Sequence, residues 1–411
     1  MTAAVRPGLA EYLAGVLAGI RPLRPLDLAL LEAHGGVLAS DVTASAALPP
    51  FDQAAIDGYA VRAEDLAGAS PENPVRLPVV GELQAKSWQP SRILPGSCFA
   101  VAAGAPLPAA ADAVVPAAWT NHGVAQLEVN RTLSRESYVR RAGSELPAGA
   151  VIAAGGTRIG SGLVGLLASA GIDHATVCPK PRVAVFSTGE ELVDATRGSA
   201  PGQVVDANSY SLTAAASDAG AQAIRAGVVA DEPAALRATL EDHAMRSDLL
   251  VVSGGTGDGP GDTVRQLLGA DGSVEFVELP LYPTPVLGYG TIGPDETPIV
   301  CLPGDPAAAL IGFEVLGRPV LQRLAGAEPV FRPAVKANLL EEVVSPPGLR
   351  EFRPAQVAER RGGGYSVRPL PGGPHALSGL AEANGLLVLG EKIAAAAPGT
   401  TVDVLLLDRR R

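Results

Sequence analysis

The chain has 411 residues, 47% hydrophobic and 18% charged, enough apolar material for roughly two to four domains with real cores, which excludes a largely disordered protein. A formal net charge of -11 argues against nucleic acid or an anionic membrane surface as the main partner, because either needs a basic face. Cys98, Cys178 and Cys301 lie far apart with no CxxC pair, and the five histidines form no His-x-His cluster. Buried free thiols are expected, rather than a disulfide framework or a thiolate zinc site. The amino terminus, with Arg6, has no signal-peptide arrangement and no apolar run of membrane-spanning length, so the expected location is cytoplasmic without membrane insertion.

Taken in chain order, residues 8–40 place Leu9, Leu13, Val16, Leu17 and Ile20, then Leu28, Leu30, Leu31, Val37 and Leu38, at helical spacing broken by Pro22 and Pro25. The spacing predicts two helices. The loop from Leu48 to Arg62 follows, carrying Asp52 and Asp57 in an otherwise apolar setting. Asp57-Gly58 is a turn signal, and Tyr59, Ala60 and Val61 read as a short strand, so Asp57 stands at a strand entry, where it can satisfy the turn's own amides or serve a ligand. From about 75 to 140, Val75–Gly81, Ala125–Val129 and similar short runs between turns predict a small strand-rich domain. Gly160 to Gly171 reads as a helix, and a boundary falls near 180.

Residues 182–325 alternate strand and helix. Strands are expected at Val183–Phe186, Ala226–Ala230, Leu249–Val252 and Pro298–Leu302, with helices near Ser209–Ala219 and after Pro233, Asp262 and Pro306. Such a pattern makes parallel strands with covering helices, and ligands collect outside the carboxyl ends of those strands. After Pro329 the helical signal stops, and Phe352–Val357, Tyr365–Arg368, Gly385–Gly390 and Thr400–Leu407 predict a small β-barrel or sandwich. In the alanine-rich patch Ala394–Ala397, helix and loop are not separable.

Several polar residues fall at these strand ends. Glu190 and Glu191 follow Ser187-Thr188-Gly189, and an acidic first turn of a helix would account for them. Asp206 and Asn208 precede a helical run, and Asp231 before Pro233 reads as an N-cap. Capping explains each singly, but so many carboxylates at one sheet edge repel one another unless a cation neutralises them. Ser253 to Asp262 holds five glycines in ten residues, which lets backbone approach a phosphate or pterin closely, although the Lys-Ser/Thr ending of a P-loop is missing. Pro303, Gly304, Asp305 and Pro306 end a strand and open a helix, with Asp305 as cap.

Phe51 to Ala60, read with Gly104–Pro108, Phe186–Leu192, Ser253–Gly255 and Leu302–Pro306 in that order, resembles the MoeA family of molybdopterin molybdenumtransferases, whose fold is shared by the E domain of gephyrin. The resemblance covers nearly the whole chain. It implies a multidomain fold: a helical linker domain (1–47 and 141–180), a strand-rich insertion domain with the Asp57 loop (48–140), a central doubly wound α/β/α molybdopterin-binding domain (181–328) and a C-terminal β-barrel-like domain (329–411). All four later motifs are expected on the ligand edge of the central sheet.

It also implies a homodimer that takes adenylylated molybdopterin and molybdate and releases AMP with Mg²⁺. Asp57 of the partner subunit, Glu191, Asp231 and Asp262 would be catalytic, with Asp57, Glu191 and Asp262 at the metal. Asn208, Ser253, Gly254, Gly255, Pro303, Gly304, Asp305 and Pro306 would shape the pterin and molybdate pocket. Departures cluster at that site: Ala103 replaces the usual Thr, Gly254–Gly259 lacks the usual Val-Ser-Val, and Asp305 replaces Asn. The family's lysine run aligns with Leu279–Pro285, while the four lysines Lys86, Lys180, Lys336 and Lys392 lie outside 182–325, leaving Arg225, Arg265 or Arg318 as possible substitutes. A second reading, from a different class, is a gephyrin-like dimeric scaffold that binds a partner peptide or protein.

Overall fold

Leu9, Tyr12, Leu13 and Val16 repeat at helical spacing and are buried along one face of the helix Leu9–Ala18, which packs on the helix Arg318–Leu324. The computed structural model describes residues 7–86, 90–198, 200–259 and 261–407; Arg6 and Pro260 lie outside them. The expected second helix is reduced to one turn. After Pro22 and Pro25 the chain forms a strand, Leu26–Ala29, then a single helical turn, Leu30–Ala33, and a short strand, Val37–Leu38. Both strands pair antiparallel with His174–Cys178, which lies between them. Leu38 is buried and Leu28 partly buried, and both strands owe their pairing to a partner far along the chain, so local helical spacing misleads there. The segment thus carries paired strands as well as the helix Ser161–Ser169.

Gly58–Val61 is the expected strand and sits second in a five-stranded sheet ordered Ala113–Pro116, Gly58–Val61, Cys98–Val101, Val75–Leu83, Gln126–Val129. A Cβ on Gly58 would lie 2.0 Å from the Val115 carbonyl oxygen, so only glycine allows that pairing.

The central sheet runs Gln222–Val229, Arg182–Thr188, Leu249–Ser253, Thr297–Leu302, Val286–Ile292, Val274–Glu278. The first four strands are parallel; Val286–Ile292 and Val274–Glu278 are antiparallel additions that the alternating pattern did not reveal. Alternate residues face two cores. Val183, Val185 and Val251 pack with Leu212 and Ile311 on one side, and Ala184, Phe186 and Val252 with Leu236, Leu240 and Leu268 on the other. Near-continuous Val and Leu runs in these strands follow from burial on both faces.

In the last region, Arg350–Glu359 pairs with both Tyr365–Pro369 and Gly385–Leu389, and the circuit closes through Thr401–Leu406 and Ala334–Leu339. Closure into a barrel leaves no open edge among these strands. Leu281–Tyr282 pairs in parallel with Arg350 and Glu351, tying the barrel to the central region. Ala395–Ala396 is strand, paired with Val343–Val344, and a short helix at Leu377–Glu382 corrects the expectation of no helix after Pro329. All three cysteines are free and buried, and no helix among the described residues is long and apolar enough to cross a membrane.

Candidate active site

Each parallel strand delivers a polar group at its carboxyl end. Arg182–Thr188 ends in Ser187 and Thr188, and the chain turns through Gly189 so tightly that a Cβ there would stand 2.8 Å from the Glu191 carboxylate oxygens. No helix follows: Leu192–Val193 pairs in parallel with Val204–Val205 in a short two-stranded excursion, so Glu191 is not part of an acidic first turn. Beyond Gln222–Val229, the helix Pro233–Ala244 is capped by Glu232, whose carboxylate accepts from the Ala234 (3.1 Å) and Ala235 (2.8 Å) amides. Those amides hold Glu232 below the usual carboxylate range. Pro233 at the first helical position fixes the cap one residue later than the expected Asp231. Asp231 is released for another role and accepts from Thr188 Oγ1 at 3.0 Å.

Leu249–Ser253 runs into the glycine-rich loop. Gly254 (φ +97°) passes so close to the neighbouring strand that a Cβ would lie 2.3 Å from Thr188 O. Asp262 precedes the helix Thr263–Ala270 without capping it. Its carboxylate turns back, accepting from Gly257 N at 2.8 Å and Gly259 N at 2.7 Å, and so shapes the loop.

Thr297–Leu302 leads to Pro303 and Gly304. Asp305 caps the following helix, accepting from Ala308 N at 2.8 Å, with Pro306 first in the helix. Asp206, almost fully buried, accepts from Ser187 Oγ at 2.8 Å and Ser209 N at 3.0 Å, as a cap would. Asn208 does not cap. It opens the helix Asn208–Asp218, and its Nδ2 donates to Ser253 Oγ (2.7 Å) and Gly304 O (2.8 Å).

These ends surround a cavity of about 400 Å³. Of the expected residues, Glu191, Asp231, Asp262, Asn208, Ser253, Gly254, Gly255, Pro303 and Gly304 line it, whereas Asp305 and Pro306 do not and serve the helix start. Asp57 lies outside this chain's cavity, just before the Gly58–Val61 strand of the five-stranded sheet, where its Oδ1 accepts from Ala103 N at 2.7 Å. Gly104–Pro108 lies beside it, its Gly104 amide donating to Ala54 O, and so does not belong to the central sheet edge as expected. The sequence reading did not single out Thr188, Thr256, Pro285 or Val286, which also line the cavity. Thr188 was within reach as the last residue of a strand at the ligand edge.

Among the described residues no Lys, Arg or His lines the cavity, so the three carboxylates face it without a cationic side chain from these residues. Arg225 is taken up by Asp194 and by Ser209 Oγ (2.8 Å), with Tyr210 stacked 3.8 Å from its guanidinium carbon. The Thr196 amide and hydroxyl, with Arg225, hold Asp194 well below the usual carboxylate range. Arg265 pairs with Asp258 at 2.6 Å. Arg318 lies roughly three turns along the helical run that starts at Pro306, away from its site end. Among the described residues no three His, Cys, Asp or Glu side chains are grouped as a ready metal site.

Residues 8–171 match the MoeA N-terminal region (domain I and II), 184–323 a probable molybdopterin binding domain and 336–407 the MoeA C-terminal region (domain IV). The chain is 38% identical to molybdopterin molybdenumtransferase 1 of Mycobacterium tuberculosis, over 95% of this chain and 96% of that one. It is 34% identical to the molybdopterin molybdenumtransferase of a Nostoc species, over 88% and 84%. Among solved structures, the molybdopterin biosynthesis MoeA protein of Pyrococcus horikoshii superposes with a TM-score of 0.78 at 26% identity, covering 98% of this chain and 100% of that one.

Proposed function

The chain belongs to the MoeA family, and from that premise we propose that it is a molybdopterin molybdenumtransferase, inserting molybdenum from molybdate into adenylylated molybdopterin with release of AMP. The observation that carries this reading is the convergence of Glu191, Asp231 and Asp262 with close-approach glycines on one cavity at the carboxyl ends of parallel strands. Gly254 and Gly255, both at positive φ, let the loop turn tightly against Thr188 and Val264 and so bring its backbone to the cavity wall. Asp231 and Asp262 are oriented, one by Thr188 and one by two loop amides, while the Glu191 carboxylate makes no hydrogen bond or ion pair among the described residues.

That donor set fits Mg²⁺, which takes one or two carboxylates plus phosphate oxygens and keeps several waters. When bound, the cation would supply the positive charge that the cavity's own side chains lack and would polarise the adenylate phosphate. The chain's part is to hold Glu191, Asp231 and Asp262 at fixed strand ends around the adenylate and to receive the pterin against the glycine turns. Asp57 would complete the site from the partner subunit of a cytoplasmic homodimer. The scaffold reading has less support, because the relatives reported above carry transferase names.

The test is incubation of the purified protein with adenylylated molybdopterin, molybdate and Mg²⁺, following AMP release and molybdenum bound to the dithiolene. AMP release that stops on chelation and returns with Mg²⁺ is the expected result; tight substrate binding with no AMP released under any metal would overturn the proposal.

A further inference from the structure

The Glu191 carboxylate makes no hydrogen bond or ion pair among the described residues, so where it points depends on how the backbone around it is held. That backbone has little to lean on. Leu192–Val193 is only half-buried and its partner strand Val204–Val205 is exposed, so this two-stranded piece has no hydrophobic face of its own. Such a piece is marginal without further support. Main-chain amides supply two ties, Val204 N to Glu191 O and Asp206 N to Val193 O, both at 2.9 Å. The side-chain tie is Asp194, directly after Val193. Its Oδ1 accepts from Thr196 N at 3.0 Å and Thr196 Oγ1 at 2.8 Å, and its Oδ2 accepts from Arg225 Nη2 and, at 3.4 Å, from the Tyr210 hydroxyl.

Arg225 is shaped for that grip. Within Gln222–Val229 it pairs with Val185 while Gly227 pairs with Phe186, so Ala226 is an extra residue, a β-bulge, with Gly227 at φ +84°. Bulges re-aim side chains beside active sites. Here the guanidinium reaches the helix Asn208–Asp218, where Nε donates to Ser209 Oγ at 2.8 Å and the guanidinium carbon lies 3.8 Å from the Tyr210 ring centre. Ser209 Oγ donates in turn to the buried Asp206, which also accepts from Ser187 Oγ at 2.8 Å, on the strand that leads into Glu191. One fork thus joins the sheet edge, the helix and the Glu191 segment, as the single ammonium of a lysine would not. With Asp194 bonded to it and Asp206 at 4.0 Å, Arg225 is already neutralised, and it does not line the cavity.

Resting on the reading above, we propose that Arg225 is a positioning residue of the reaction: by gripping Asp194 it sets the backbone that aims Glu191 into the cavity, and it acts on Mg²⁺ through Glu191 without touching the substrate.

The test is calorimetric titration of Mg²⁺, in the presence of AMP, into the wild-type protein, Arg225→Gln, Asp194→Asn, Glu191→Gln and the two double variants that carry Glu191→Gln, with thermal unfolding recorded for each. Expected is a loss of Mg²⁺ affinity of about tenfold in Arg225→Gln and a similar loss in Asp194→Asn. On top of Glu191→Gln neither substitution weakens Mg²⁺ further, because the group they aim is gone. A purely structural tie would lower the melting temperature in both backgrounds and leave Mg²⁺ affinity where it was. Asp194→Asn keeps an acceptor for Thr196, so the comparison stands even where Arg225→Gln does not fold.

The proposal is overturned if both variants bind Mg²⁺ as the wild type does, or if their losses multiply with that of Glu191→Gln. Either result alongside AMP release by the wild type removes this inference alone, whereas no AMP release by the wild type removes the functional reading beneath it.

Discussion

Asp262 and Glu191 face one cavity, yet they are held in opposite ways, and that difference is measurable. Both Asp262 oxygens accept backbone amides, from Gly257 and Gly259. In Asp262→Asn one of those amides meets an NH₂ group instead of an acceptor, and a lost hydrogen bond of this kind costs about 1–3 kcal/mol. The glycine loop should become the first site of limited proteolysis, and AMP release should fall by at least about tenfold. Glu191 has no such structural duty, so Glu191→Gln should leave thermal unfolding unchanged while lowering the affinity for Mg²⁺ with AMP. Equal loss of melting temperature in the two variants would show that Glu191 supports the fold as well.

Asp52 and Arg141 join the Asp57 loop to the segment that returns from the strand-rich region. Burial pushes the Asp52 carboxyl up, but the Ala142 amide at 2.8 Å and the Arg141 guanidinium outweigh it, so its net shift is downward. A carboxyl with a depressed native pKa adds stability above its unfolded pKa and loses it as pH falls through the native value. Acid unfolding of the wild type should therefore steepen below about pH 4, and Arg141→Ala should flatten that part of the curve. A second prediction concerns Asp305, which stands where the resembling family has Asn. Both residues cap helices well, so Asp305→Asn should change stability by only a few tenths of a kcal/mol, whereas Asp305→Ala should cost about 1 kcal/mol in denaturant unfolding.

At this scale the sequence was most legible where neighbours in the chain make the structure: the Pro306 helix with its cap, the strand-to-helix alternation of 182–325, and the Asp57-Gly58 turn. It misled where the partner is remote. Leu26–Ala29 owes its strand to His174–Cys178, and Val286–Ile292 owes its antiparallel place to Thr297–Leu302. Asp231 looked like a cap because Glu232 and Asp231 are both plausible before Pro233; only the fold shows Thr188 waiting for Asp231. The lining glycines were legible because their spacing has no use in a helix or strand.

For the whole molecule, the decisive distance is the one between the Asp57 loop and the cavity of its own chain. Asp57 is absent from that cavity and is engaged by Ala103 N beside the five-stranded sheet, so a role for it at the metal requires a second copy of the chain. Two separately inactive variants test this. Asp57→Asn keeps an intact Glu191, and Glu191→Gln keeps an intact Asp57, so in a mixed dimer the first chain's cavity receives the second chain's Asp57 and is whole. The other cavity carries both substitutions. Random exchange makes half the dimers mixed with one good site each, so refolding an equimolar mixture should restore about one quarter of wild-type AMP release. If Asp57 acted within its own chain, every site in the mixture would remain damaged and no activity would return. Recovery of turnover together with a dimeric mass in solution would place the functional unit at two chains, and would explain why a cavity rich in carboxylates leaves one of its expected members outside.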